Sequence, residues 1–286
     1  MTRQIKKKVT GYRTQDGAGV KLVRVLGHKT VEDYDPFLML DSFDSRNPDD
    51  YIAGFPLHPH RGIETITYMS SGELNHKDSL GNKGVIRDGE VQWMTAGSGI
   101  MHEEMPQPVE RMLGVQLWLN LPADEKMCPP AYHSIEADQI VDVPVAGGKV
   151  RVISGEFAGH QAFQPKHIKA HFYSIQLEPD SAINIAVPEG HSAYFFTLLG
   201  DAQIAGELIA EKTAVSTTDG DSVEIAATNE PIELLFFSAL RLNEEVAWGG
   251  PIVMASQTDL NQAFVDLRTG NFIKDEIMGD ESMQTD

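Results

Sequence analysis

The chain has a single cysteine, Cys128, so it cannot form an internal disulfide, and a fold held without cross-links fits a reducing, cytoplasmic setting. Basic residues are scarce as well. There are 23 of them against 42 acidic ones, a formal charge of −19 on 286 residues. Such a field repels phosphate backbones and anionic headgroups, so direct nucleic-acid or membrane binding is not expected. No apolar run approaches the length of about 20 residues that a spanning helix needs. The basic opening from Met1 to Lys8 leads into Thr10, Arg13 and Thr14 instead of an apolar segment, so no secretory signal is expected. Helical periodicity is nearly absent. What is present, at 41% hydrophobic residues, is enough apolar material for two cores.

Short runs at 20–25 and 36–40, rich in β-branched and aromatic residues and bounded by Gly27, Asp33 and Asp35, read as strands. A meander follows from Glu64, with turns at Gly72, Gly81 and Gly89. Turn signals at this spacing predict an all-β fold built as antiparallel sandwiches or barrels. The alternation in 112–119 places Gln116 and Trp118 on one face and Leu117 and Leu119 on the other. Residues 123–148, rich in Pro, Asp, Glu and Gly, are the expected linker, giving domains at 1–130 and 131–286.

The second half repeats the style of the first in the apolar runs 172–177, 193–199 and 232–237, and the turn at 87–90 is echoed at 218–221. Laying those turns over each other puts His102 opposite Glu233. Laying Gly72 over Gly200 puts His58 and His60 opposite Ala186 and Pro188, so the second copy is expected to lack any metal site. One helix is expected between Thr258 and Leu267, capped by Thr258 or Asp259, and the acidic tail from Lys274 is expected to be mobile.

Two short clusters stand out within 54–104: His58-Pro59-His60 and His102-Glu103-Glu104. Residues two apart on a strand share a face, so His58 and His60 project together, as do His102 and Glu104. Face to face, the pairs make a site of three histidines and one carboxylate. That set suits iron, nickel, copper or zinc better than calcium or magnesium, and it should lose metal at low pH because its ligands must be deprotonated. Pro59 stiffens the first pair. Gln92, Thr95 and nearby carbonyls are candidates for orienting the rings. A lone His-x-His is as often an ordinary surface or core feature, and the second pair is what makes a ligand set the better reading. His167 and His171 read as structural, Cys128 has no adjacent cation to activate it, and Gly97-Ser98-Gly99 lacks the helix and lysine of a phosphate loop.

The residues 55–69, Asp78 to Asn82, and Gln92 to Ile100 followed by His102, Glu104, Met105 and Pro106 closely resemble the pirin family of the cupin superfamily. The resemblance extends through Asp35 to Leu38, Trp118 to Pro122 and Gly250-Pro251, nearly the whole chain. It implies a bicupin of two jelly-roll domains with iron, or else nickel, copper, zinc or manganese, held in the first by His58, His60, His102 and Glu104. It also implies a monomer acting as a quercetin 2,3-dioxygenase. A flavonol hydroxyl and ketone would meet the metal, Glu104 would take the hydroxyl proton, and ring cleavage by dioxygen would release carbon monoxide. Phe55, Trp93, Met94, Met101 and Met105 would line the walls or fill the barrel core. Animal pirins act as redox-sensitive co-regulators, which implies the alternative of a non-enzymatic iron sensor acting on a protein partner. Most cupins would use Glu64 as the acidic ligand where pirins use the position of Glu104. A smaller departure is Ala255, where pirins usually carry Asn after the methionine.

Overall fold

The computed structural model describes residues 1–275, and the remainder of the expected tail lies outside the described residues. Two seven-stranded antiparallel sheets each carry a four-stranded partner sheet. The first large sheet runs, in spatial order, Ala131–Ile135, Val91–Thr95, Ile63–Ser71, Met112–Asn120, Phe37–Ser45, Val20–Leu26 and Tyr12–Asp16. The second runs Ile5–Thr10, Thr213–Thr217, Ser192–Leu199, Ile232–Ala239, His171–Leu177, Gly148–Ser154 and Val141–Val145. Strand for strand these orders match, so the duplication suggested by the turns is a duplication of topology.

Each copy borrows one edge strand. Ile5–Thr10, from the start of the chain, pairs with Thr213–Thr217 in the second sheet, and Ala131–Ile135 pairs with Val91–Thr95 in the first. The segment expected as a linker at 123–148 is therefore structured, holding the strands Ala131–Ile135 and Val141–Val145. Its Pro and Gly residues bound those strands and concealed their short alternation.

The alternation in Met112–Asn120 acts as anticipated. Val115, Leu117 and Leu119 enter a core shared between the two large sheets, where they meet Phe172, Leu235 and Phe237. Gln116 and Trp118 face the other way, into the first barrel. In the strand Ile232–Ala239 of the second sheet, Leu235 and Phe237 face the shared core while Leu234 and Phe236 fill the second barrel. Each fully buried Leu or Phe contributes about 1.5–3 kcal/mol of transfer free energy, so this shared core is the main tie between the halves.

The matched topology corrects the overlay made from turns alone. Glu233 lies on the counterpart of Met112–Asn120, and the counterpart of Ile100–Pro106 is Ser222–Ala227. The Glu233 carboxylate instead accepts hydrogen bonds from Tyr68, Ser70 and Ser174, joining the halves.

The expected C-terminal helix spans Gln257–Thr269, with a short helix also at Val31–Tyr34. Ser256, not Thr258 or Asp259, caps it, its hydroxyl accepting from the Asp259 amide at 3.1 Å. Gly270, at φ 76°, closes the helix in the left-handed conformation. The helix and the strand Ile252–Met254 return to the first half, where the Val253 amide donates to the Arg61 carbonyl at 3.0 Å. Gly62 permits that approach, because a Cβ there would stand 2.0 Å from the Val253 carbonyl oxygen.

Candidate metal centre

The strand Phe55–His60 pairs antiparallel with Ile100–Pro106, and His58 and His102 are direct partners in that register. A register shift after His102 leaves Glu104 opposite Phe55. Ring nitrogens of His58, His60 and His102 all lie within 4.8 Å of one another. His58 Nε2 and His60 Nε2 are 3.1 Å apart. Glu104 Oε2 lies 4.0 Å from His102 Nε2, beside the histidine cluster.

Each ring is held through its other nitrogen. His58 Nδ1 donates to the Pro56 carbonyl at 2.9 Å and His60 Nδ1 to the Pro251 carbonyl at 3.1 Å. The Tyr132 hydroxyl lies 3.4 Å from His102 Nδ1. Of the expected supports, carbonyls orient two of the rings and Gln92 and Thr95 none, and a tyrosine stands behind the third. The Gln92 amide has no hydrogen-bond partner among the described residues, and Thr95 donates to Glu64 at 2.7 Å. Pro251 lies more than 190 residues from His60 and is brought near only when the C-terminal segment folds back. Tyr132 arrives on the borrowed edge strand.

The arrangement fits a cation. A carbonyl only accepts, so the protons of His58 and His60 sit on Nδ1 and both Nε2 atoms present lone pairs to each other. His102 Nε2 is buried with no protein partner. Three convergent imidazole nitrogens, two of them facing each other with lone pairs, form a ligand set for a borderline divalent metal. Burial lowers the pKa of His58, holds that of His60 at about 3 and drives that of His102 well below its usual value, so all three rings are neutral near pH 7. Burial has the opposite effect on Glu104 and raises its pKa to about 7 against the hydrogen bonds from Thr67 and Gln116.

The centre forms one wall of a cavity of about 860 Å³. Its apolar walls are Val25, Leu26, Met39, Phe43, Leu74 and Met112, with Trp118 and Trp248. Of the wall residues anticipated from sequence, Phe55 lines it. Trp93 and Met94 are buried in cores, Met101 packs near the C-terminal helix, and Met105 covers Gly54. His60, Trp118, Trp248 and His28 form a chain of aromatic contacts with centroid separations of 5.1, 5.7 and 4.0 Å. Glu64 is buried away from this cavity, against Thr95.

Arg61, next to His60, is clamped by the C-terminal segment. It donates to Asp266 at 2.8 Å and to the Phe272 carbonyl at 2.6 Å, and its guanidinium sits 4.3 Å from the centre of the Phe272 ring. Buried Lys126 donates to the carbonyls of Gly62 and Val253 and to Asn120. Sequence reasoning missed both. An arginine adjacent to a ligand pair and a helix 200 residues later carry no local mark of meeting. His167 and Cys128 also meet, at 3.7 Å, with His167 bonded to Glu125, but burial pushes the Cys128 thiol up to about 11.

Two stacked-sheet barrels in one chain, one lined by a histidine cluster and the other filled, define a bicupin. The sequence profile of the pirin family matches residues 19–119 and that of the pirin C-terminal cupin domain matches residues 172–273. A protein of Pseudomonas aeruginosa, named provisionally as a quercetin 2,3-dioxygenase, is 42% identical over 280 residues, covering 94% of this chain and 97% of its own. A pirin-like protein of Caulobacter vibrioides is 40% identical over 274 residues, covering 94% and 99%. The crystal structure of a quercetin 2,3-dioxygenase from Acinetobacter baumannii superposes with a TM-score of 0.88 at 30% identity, covering 97% of this chain and all of that one. The chain belongs to the pirin family.

Proposed function

We propose that this protein is a metal-dependent dioxygenase that cleaves quercetin-like flavonols, with His58, His60, His102 and Glu104 as the metal ligands and iron as the metal. The observation that carries the reading is the convergence of three imidazole nitrogens within 4.8 Å of one another, beside a carboxylate, on the wall of a largely apolar, aromatic-lined cavity. A divalent metal held there supplies a Lewis acid that lowers the pKa of a bound hydroxyl. The protein's own contribution is then positional and protolytic. The aromatic chain from His60 to Trp248 gives planar rings a surface to lie against. The Glu104 carboxylate can take the flavonol hydroxyl proton, while Thr67 and Gln116 fix its orientation. Glu104 is preferred to Glu64 as the acidic ligand because it lines the cavity with its Oε2 4.0 Å from His102 Nε2, whereas Glu64 faces Thr95.

We assign the four ligands to an N-terminal unit, 1–130, and a cupin without a metal site to 131–286, which lends Tyr132 and Pro251 to the centre. The test is elemental analysis of purified protein together with an aerobic quercetin assay on the wild type and His58→Ala. Quercetin loss with carbon monoxide release, abolished in the variant, is the expected result. Metal-loaded protein that leaves quercetin intact refutes the enzymatic reading, and redox-dependent capture of a protein partner would then favour a regulatory role.

A further inference from the structure

Across the floor of the cavity runs a row of polar side chains that the proposed chemistry uses only at one end. Arg24, Asp41, Gln116 and Thr67 are successive cross-strand partners on four neighbouring strands. Thr67 and Gln116 serve Glu104. At the other end, Arg24 donates to Asp41 through Nε at 2.8 Å and Nη2 at 2.6 Å, and to Asp16 at 2.6 Å. Neighbouring strands lie about 4.8 Å apart, so Arg24 stands about 10 Å from the Gln116 pole.

An ion pair facing an apolar cavity is costly to desolvate and is weak evidence for a purely stabilising role. Its exposure rises towards the outside: the side chains of Asp41, Arg24 and Asp16 are 4%, 25% and 50% exposed. Asp41 and Asp16 fix the guanidinium, and Nη1 makes no hydrogen bond among the described residues. All three line the cavity, and Tyr12 lies beside them on its wall. The charge balance decides what they can receive. Two carboxylates outweigh Arg24, and Lys29, the other cation on the wall, borders a second depression with Glu32, Asp33, Glu244 and Glu245. An anionic group is repelled, whereas neighbouring hydroxyls can accept from the guanidinium and donate to a carboxylate.

We propose that Arg24, Asp41 and Asp16 form a second subsite at the cavity mouth that takes a vicinal pair of hydroxyls on the neutral far end of the ligand. One hydroxyl accepts from Arg24 Nη1 and its neighbour donates to Asp16. The inference rests on the flavonol reading for the ring at the metal end. A vicinal diol is offered either by a dihydroxylated pendant ring or by a sugar, and the cavity, near the upper end of the range of about 300–1,000 Å³ for small-molecule sites, has room for either.

Anaerobic calorimetry separates binding from turnover. The probes are quercetin, its analogue with one hydroxyl on the pendant ring, the 7-glucoside of that analogue, and a 7-sulfate of it. Wild type is expected to bind quercetin or the glucoside at least about tenfold more tightly than the one-hydroxyl analogue, as a hydrogen bond to a charged group supplies, and the sulfate more weakly. Preference for quercetin identifies the pendant ring as the diol, and preference for the glucoside identifies the sugar. Arg24→Gln is expected to erase the preference, bringing the affinity for quercetin or the glucoside down to that for the one-hydroxyl analogue. The pair Arg24→Gln with Asp41→Asn repeats the test without an orphaned buried carboxylate. Equal affinities for all the neutral probes, or a preference that survives both variants, overturns the subsite alone. A wild type that binds no flavonol overturns the proposed function and the subsite with it.

Discussion

The two barrels have the same strand order and opposite interiors. In the first, the inward positions of Ile100–Pro106 include His102 and Glu104, and the facing large sheet offers Asp41, Thr67 and Gln116 around a cavity. In the second, the counterpart Ser222–Ala227 buries Val223, Ile225 and Ala227, and the sheet opposite contributes Val152, Ile175, Phe195 and Phe236. Both satisfy their backbones through the same ladders. Strand order fixes the container, and the choice of inward side chain decides whether it is filled with hydrocarbon or left open around polar groups. The second barrel can therefore bear stability that the first gives up to hold a site.

That contrast can be broken most directly at the histidines. His102→Ala is expected to weaken metal binding by more than about 100-fold, beyond the 10–100-fold that changes around a ligand cost, with elemental analysis as the readout and thermal unfolding little changed. Core truncation should act in the reverse sense. Phe236→Ala, in the filled barrel, should cost about 3–5 kcal/mol in chemical denaturation. Phe43→Ala, on the cavity wall, should cost about 2 kcal/mol because part of its surroundings is already empty. Equal costs would mean that the cavity closes in solution.

A smaller effect tests the clamp between the halves. Arg61→Met takes the donor from the Phe272 carbonyl and one partner from Asp266, which keeps Gln262 and Lys274, and should cost about 1–2 kcal/mol. Through the neighbouring His60 it should also speed metal release to a chelator by about tenfold. Unchanged release would show that the clamp holds only the fold. The smallest effect belongs to the second half, where His171 and His191 contact each other without forming a metal cluster. Burial lowers the pKa of His191 to about 4, with His171 and Arg3 adding to the shift. Between about 4 and its usual 6.5 the unfolded chain binds more protons there, so stability should fall as pH drops through that window. His191→Gln should flatten the decline in a pH series of denaturant melts, and an unaltered slope would rule the residue out.

The alternation of strands was legible in the sequence because side-chain period and hydrophobicity coincide, as in Gln116 and Trp118 against Leu117 and Leu119. The meeting of the two histidine clusters was legible because the members of each pair sit two residues apart and so share a strand face. The supports were not. The Pro251 carbonyl behind His60, Tyr132 behind His102 and Asp266 against Arg61 are contacts made by backbone or by segments distant in sequence, where local periodicity carries no information. The overlay of His102 on Glu233 failed for a related reason. Two turns of similar composition occupied different places in the strand order, and only the ladder distinguishes them.

The exchanged edge strands give the molecule the character of a clasped pair of hands. Ile5–Thr10 closes the second sheet and Ala131–Ile135 closes the first, so no single cut of the chain yields two complete halves. Cleavage at residue 130 would take Tyr132 and its strand from the first sheet, leaving Val91–Thr95 as a raw edge open to another chain. Losing either half would strip an edge strand from the large sheet of the other.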